Sequence, residues 1–148
     1  VRIVAQRVSR AEVRIDGRVA GSIGAGLLVL AGFAPGDGEA ELAWMADKLW
    51  GLRVFPDAEG RMNRSLADAG GALLVVSQFT LYGDVSRGRR PSFIGAAEPG
   101  EAERLYERFL DLCRGTGAEV ESGEFGAMME VELVNDGPVT LIIDREGR

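Results

Sequence analysis

Asn135-Asp136-Gly137-Pro138-Val139-Thr140 stands between two strand-like runs, Met129 to Val134 and Val139 to Ile143. In the first, Met129, Val131 and Leu133 alternate with Glu130 and Glu132, the period of a half-buried strand. The second is rich in β-branched residues and is bounded by Asp144. Proline has no N–H to give to a ladder, so Pro138 must sit at an edge, a bulge or a turn. Gly-Pro adds an option, because X-Pro bonds alone become cis at modest cost and glycine turns without a Cβ clash. Read by itself, the hexapeptide is a Gly/Pro turn that makes residues 129–143 a hairpin.

The opposite end carries a second hairpin signal. Residues 2–15 have strand character, Asp16-Gly17 is a two-residue turn of the kind that needs positive φ, and Arg18 to Ile23 returns. Leu27 to Phe33 is apolar on both faces and predicts a buried central strand. Asp37 is the expected N-cap of a helix that buries Leu42, Met45, Ala46 and Leu49 and ends at Gly51. Leu52 to Phe55 predicts a short strand, and residues 57–71 a polar loop with one helical turn. Ala72 to Val76 is a second buried strand running into Ser77-Gln78-Phe79-Thr80-Leu81-Tyr82-Gly83. Residues 84–97 form a long loop of the kind that carries function. Pro99 opens a helix whose stripe is Ala102, Leu105, Tyr106, Phe109, Leu112 and Cys113, and Glu119 to Ser122 adds a strand. The order predicts one α+β domain over residues 1–148, with largely antiparallel, barrel-like sheet and two main helices.

Composition narrows the chemistry. There is no histidine and one cysteine among 148 residues, so His-dependent triads, His-ligated metal sites and an internal disulfide are all excluded within the chain. No metal or other cofactor is expected. The net charge of −6 argues against a broad basic face for duplex nucleic acid, although Arg87-Gly88-Arg89-Arg90 is a local basic patch. No apolar run reaches the roughly 20 residues of a bilayer-spanning helix, and the N-terminal residues read as a strand, which places the protein in the cytoplasm and off the membrane.

Single residues decide little. Ser77 and Thr80 follow a buried strand, and their hydroxyls either satisfy local backbone or line a site. Glu130 and Glu132 read as the wet face of a strand, and Cys113 as core. Residues 77–83 and 135–140 taken together do more. They resemble the two signature motifs of D-aminoacyl-tRNA deacylases, Ser-Gln-Phe-Thr-Leu-Tyr-Gly and Asn-X-Gly-Pro-Val-Thr. The resemblance extends over nearly the whole chain, including Gln6-Arg7-Val8 and Arg90-Pro91-Ser92-Phe93. One departure is visible: Gly126-Ala127-Met128-Met129 stands where the family usually has Gly-Ala-Asp-Met.

The resemblance implies hydrolysis of the ester joining a D-amino acid to the 3′ end of a tRNA, by a homodimer with active sites at the subunit interface. It implies a cis Gly137-Pro138 bond, inserted from the partner subunit, that rejects L side chains and admits glycine mischarged on alanine tRNA. The Phe79 and Thr80 N–H groups would stabilise the oxyanion, a contribution of roughly 3 kcal/mol per donor. The substrate's 2′-hydroxyl would help activate water. Thr140 would orient rather than attack, as no base neighbours it in sequence. Gln78 and Met129 would hold the terminal adenosine, with Ser77, Asn135 and Val139 also at the substrate. Arg87, Arg89 and Arg90 would meet phosphates of the acceptor end. The competing readings are a non-catalytic nucleic-acid-binding module and a hydrolase of small D-amino-acid esters.

Overall fold

The computed structural model describes residues 1–147. Its first strand, β1 (Arg2–Ile15), organises the rest. Asp16 and Gly17, at φ 51° and 80°, make the expected tight turn into β2 (Arg18–Ile23), which pairs antiparallel with residues 11–15. β3 (Gly26–Gly32) pairs antiparallel with residues 2–8, and β6 (Ala72–Ser77) and β7 (Glu119–Ser122) follow as parallel neighbours. β1 therefore serves β3 with its first half and β2 with its second. The far ends of the path β2-β1-β3-β6-β7 also return to one another. A Cβ on Gly21 would lie 2.6 Å from the Ser122 carbonyl oxygen, and Ser22 N–H donates to Glu121 Oε1 at 3.4 Å. The mixed sheet curls nearly into a barrel, antiparallel around β1 and parallel across β3, β6 and β7.

Two apolar clusters explain the unbroken runs of β3 and β6. Leu28, Leu74 and Val76 join Val8, Val13 and Ile23 inside the curl. Leu27, Val29, Leu73 and Val75 face outward, against α1 (Glu39–Gly51) and α3 (Pro99–Gly115). Each fully buried aliphatic side chain contributes about 1.5–3 kcal/mol, so both faces of these strands hold the domain together. In α3 the expected stripe is buried except that Leu110 joins it and Leu112 is only partly covered. Cys113 is buried there, and burial pushes its thiol up to about 12.

The remaining elements are small. β4 (Phe55–Pro56) and β5 (Met62–Arg64) form a two-stranded hairpin, and α2 (Leu66–Ala69) is one turn capped by Ser65. Of the strand expected over residues 52–55 only Phe55 belongs to β4, and β5 is a strand within the stretch 57–71 expected to be loop. Asp37 is not the N-cap of α1. That position belongs to Gly38, while Asp37 is buried and accepts from Ala34 N–H and the Val1 amino group. The sequence thus located the helix start to within one residue but not which residue would be drawn inward.

The larger correction is at the C-terminal end. Residues 129–143 are not a hairpin. β8 (Glu130–Asp144) is one 15-residue strand along the free edge of β1, with pairs from Arg2–Asp144 to Gln6–Thr140 and from Arg10–Val134 to Arg14–Glu130. Between Gln6–Thr140 and Val8–Asn135 the partner strand advances two residues while β8 advances five. Asp136 to Val139 thus stand opposite the single residue Arg7 and bulge from the sheet. Pro138, which cannot donate, is accommodated there rather than in a turn.

Candidate functional site

The end of β6 supplies one half of the site. After Ser77 the chain enters a 3-10 turn, Phe79–Tyr82, preceded by Gln78. Gln78 N–H donates to Ala31 O at 2.8 Å, which ties the turn to the end of β3. Arg2 clamps its other end, donating to Leu81 O at 3.0 Å and to Asp144 Oδ1 at 2.8 Å while lying over the Tyr82 ring at 4.8 Å. Partial burial raises the Tyr82 hydroxyl well above its ordinary pKa. The Phe79 and Thr80 N–H groups head this turn, where a helical segment leaves donors without intrahelical partners.

Beside the turn lies a cleft of about 610 Å³. Ser77, Gln78 and Phe79 form one side and Met128, Met129 and Val131 another, with Phe93 and Phe125 adding aromatic walls. Phe79 is 55% exposed and meets Phe93 edge-to-face, ring centroids 5.0 Å apart. Met128 is 90% exposed at the rim. The surface of the cleft is mainly apolar, a setting in which a planar ring can stack and in which a few polar groups fix orientation. Thr80 does not line it, and its hydroxyl is engaged by the Gln78 side-chain amide.

The bulge of β8 carries the second motif, and its internal bonds hold it in one shape. Asn135 spans it: Oδ1 accepts from Val139 N–H at 3.2 Å, and Nδ2 donates to Thr140 Oγ1 at 3.0 Å. Gln6 Nε2 donates to the same hydroxyl at 3.3 Å. Two side-chain amides thus donate to the Thr140 hydroxyl oxygen. Arg7, on β1, donates to Asp136 O at 3.2 Å and to Val54 O at 2.7 Å, and pairs with the Asp136 carboxylate at 3.3 Å. Gly137 has φ 127°, and a Cβ there would meet Val139 Cγ2 at 2.9 Å and Arg7 Nη2 at 3.1 Å. Only glycine fits without strain. The Gly137–Pro138 bond is cis.

The sequence-derived residues therefore divide into two groups. Ser77, Gln78, Phe79 and Met129 meet at the cleft, whereas Asn135, Gly137, Pro138, Val139 and Thr140 build the bulge and none of them lines the cleft. Arg87, Arg89 and Arg90 lie on an exposed loop closed by the Asp84–Ser92 bridge, next in sequence to Phe93. Glu130 and Glu132 are exposed as expected. The Arg14 guanidinium holds the Glu132 carboxyl below its usual range. The contacts of Arg7 with the bulge were missed, although a charge between the buried Ala5 and Val8 is a signal that it has partners. Glu98 and Phe125 were missed as cleft residues because no motif marks them, whereas Met128, noted as a departure from the family pattern, lines the cleft beside Met129. Among the described residues no cluster of acidic and sulfur ligands could hold a metal ion, and no helix is long and apolar enough to cross a membrane.

Comparison with known proteins bears on the whole chain. A D-aminoacyl-tRNA deacylase of Symbiobacterium thermophilum is 59% identical over 146 residues, covering 99% of this chain and 97% of that protein. One from Desulfitobacterium hafniense is 58% identical, covering 99% and 98%. A solved structure named c-Myc DNA Unwinding Element Binding Protein superposes with a TM-score of 0.93 at 39% identity, covering 99% of this chain and all of that one. Another, described as a probable eukaryotic D-amino acid tRNA deacylase, gives a TM-score of 0.85 at 20% identity over 97% and 98% of the two chains, a likeness of fold. The family model for D-Tyr-tRNA(Tyr) deacylase matches residues 4–144, from the strand that carries Arg7 to the end of the bulged strand, and the chain belongs to that family.

Proposed function

We propose that this protein hydrolyses the ester of D-aminoacyl-tRNA, releasing free tRNA and a D-amino acid, and that it does so in the cytoplasm as a homodimer. The observation that carries this reading is the separation of the two motif segments within one chain. The cleft has Ser77, Gln78, Phe79 and the stacking walls, with Thr80 next in the same turn, while none of the bulge residues lines it. A second copy that inserts its bulge completes the site.

Two further features support the dimer. Among the described residues β8 pairs with β1 alone, which leaves its other edge unpaired, and its exposed side chains include Val134, Leu141 and Ile142. A long apolar edge of this kind is normally covered. In such a dimer the rigid Gly137-Pro138 backbone faces the α-carbon of the substrate. Selection is then by exclusion: an L side chain collides with fixed main chain, a D side chain points away, and glycine enters because it has nothing to reject. Glycine mischarged on alanine tRNA is accordingly also a substrate.

For catalysis, the Phe79 and Thr80 N–H groups receive the developing oxyanion. Gln78 and Met129 hold the terminal adenosine, Ser77 and Val139 shape the pocket, and Asn135 and Thr140 keep the bulge in register. No histidine is available, so the ribose 2′-hydroxyl of the substrate assists the attacking water. Arg87, Arg89 and Arg90 draw in the phosphates of the single-stranded end, which a chain of net charge −6 can hold without a broad basic face.

Deacylation of matched D- and L-aminoacyl-tRNA tests the reading. Hydrolysis of the D ester with the L ester spared is expected; equal turnover of both would overturn it. Binding without turnover would instead favour the nucleic-acid-binding module. Full activity on a tRNA lacking the terminal 2′-hydroxyl would remove the substrate-assisted step, and turnover of small D-amino-acid esters at the same rate would favour the RNA-independent hydrolase.

A further inference from the structure

Among the described residues that line the cleft, Glu98 is the one charged side chain. It precedes Pro99 at the start of α3, is exposed, and makes no capping hydrogen bond to the helix. Its immediate neighbours in the lining are small and apolar: Ala96, Ala97, Pro99 and Ala102. Phe93 and Phe125 provide aromatic surface in the same cleft. This combination is a slot with stacking walls and a single strong acceptor.

Charge and donor arithmetic limit what that acceptor can take. A phosphodiester is repelled by a carboxylate and goes toward the arginines of the loop before Phe93. An α-ammonium gains little at this carboxylate, because Glu98 is exposed and an exposed ion pair contributes little beyond what water already offers both partners. An aminopurine edge needs only one or two acceptors and presents a flat face to the aromatic walls. A carboxylate also discriminates, because it accepts from an exocyclic amine and repels a carbonyl at the same place.

We propose that Glu98 reads the terminal base of the bound RNA by accepting a hydrogen bond from the exocyclic N6 amine of adenine, and so sets the base specificity of the cleft. This rests on the function proposed above. It orients the RNA end, with the base toward Glu98 and the phosphates toward Arg87, Arg89 and Arg90.

The test compares D-tyrosyl-tRNA ending in adenosine with D-tyrosyl-tRNA ending in purine riboside, which lacks the amine. For the unaltered protein, kcat/KM should favour adenosine by roughly tenfold. Glu98→Ala should bring the ratio to within about twofold, and Glu98→Gln, whose amide oxygen can still accept, should restore part of it. Reading the ratio removes any loss of folded protein, which lowers both arms alike. An unaltered protein indifferent to the amine, or a Glu98→Ala variant with the full preference, would overturn the proposal. So would an effect of Glu98→Ala that vanishes when the amino group of the D-tyrosyl moiety is acetylated, since that would assign the carboxylate to the α-ammonium. Failure to hydrolyse either D ester would instead overturn the proposed function and this reading with it.

Discussion

Arg7 reaches from β1 to donate to the carbonyl oxygen of Asp136, the residue just before Gly137, and the same guanidinium donates to Val54 O. One side chain thus fastens the bulge of β8 to the segment leading into the β4–β5 hairpin. Its side chain is only 11% exposed, so these bonds are poorly replaced by water. Hydrogen bonds from a charged donor contribute about 1.5–3 kcal/mol.

Arg7→Ala should therefore destabilise the fold by about 2 kcal/mol, measured by urea unfolding, and should erode discrimination between D- and L-aminoacyl-tRNA. Arg7→Lys should recover part of the stability but little of the discrimination, because an ammonium cannot hold both carbonyls in the planar geometry of a guanidinium.

Gly137→Ala places a methyl group against Val139 and Arg7 at a φ of 127°, which L residues rarely adopt. A conformation of this kind costs about 1–3 kcal/mol. The bulge should shift while the cleft at the end of β6 stays intact. The expected result is a fall in D-ester turnover and in D/L selectivity, with oligomeric state and circular dichroism unchanged.

Phe79→Ala removes a half-exposed ring from the cleft and its edge contact with Phe93. Aromatic pairs of this type contribute about 0.5–1.5 kcal/mol, so thermal stability should change little. Turnover should fall through a raised KM, since a stacking wall is lost. A large drop in melting temperature would show the ring to be structural instead.

Ile142 is 72% exposed on the unpaired strand edge. Ile142→Asp should weaken self-association, measured by light scattering after size exclusion, and activity should fall in step with dissociation. A fully active monomer would contradict a site completed by two copies.

Burial raises the Cys113 thiol and the Tyr106 hydroxyl, each to about 12, from ordinary values of 9.0 and 10.0. Both groups are neutral in the fold below those values, and an unfolded chain releases their protons at lower pH. Stability from this source is complete below about pH 9 and declines as pH rises from there toward 12. Native protein at pH 8 should resist thiol reagents, and labelling of Cys113 should appear in parallel with alkaline unfolding.

Local pattern carried far in this chain. Asp16-Gly17 specified its turn, because two positive-φ residues between alternating strands leave one short connection. Leu27 to Phe33 and Ala72 to Val76 were legible as buried strands because both their faces are apolar. The spacing of Leu42, Met45, Ala46 and Leu49 marked α1. Asp37 was misplaced because an acidic residue before a helix satisfies two patterns, and only the buried partners at Val1 and Ala34 tell them apart.

What the amino-acid order by itself determined was most of the elements and the two segments that match the family's motifs, since helix and strand periodicity and Gly-Pro geometry are properties of neighbours along the chain. What the tertiary structure decided was pairing. A proline between two apolar runs permits either a turn or a bulge. β1 settles the matter by offering one continuous edge to both runs, so the surplus residues are pushed out of the sheet. The grip of Arg7 on Asp136 and the place of Glu98 in the cleft arise in the same way, between residues 129 positions apart in one case and from the gathering of three remote segments in the other. Contacts of that kind depend on where the folded strands and helices lie, and no local period records them.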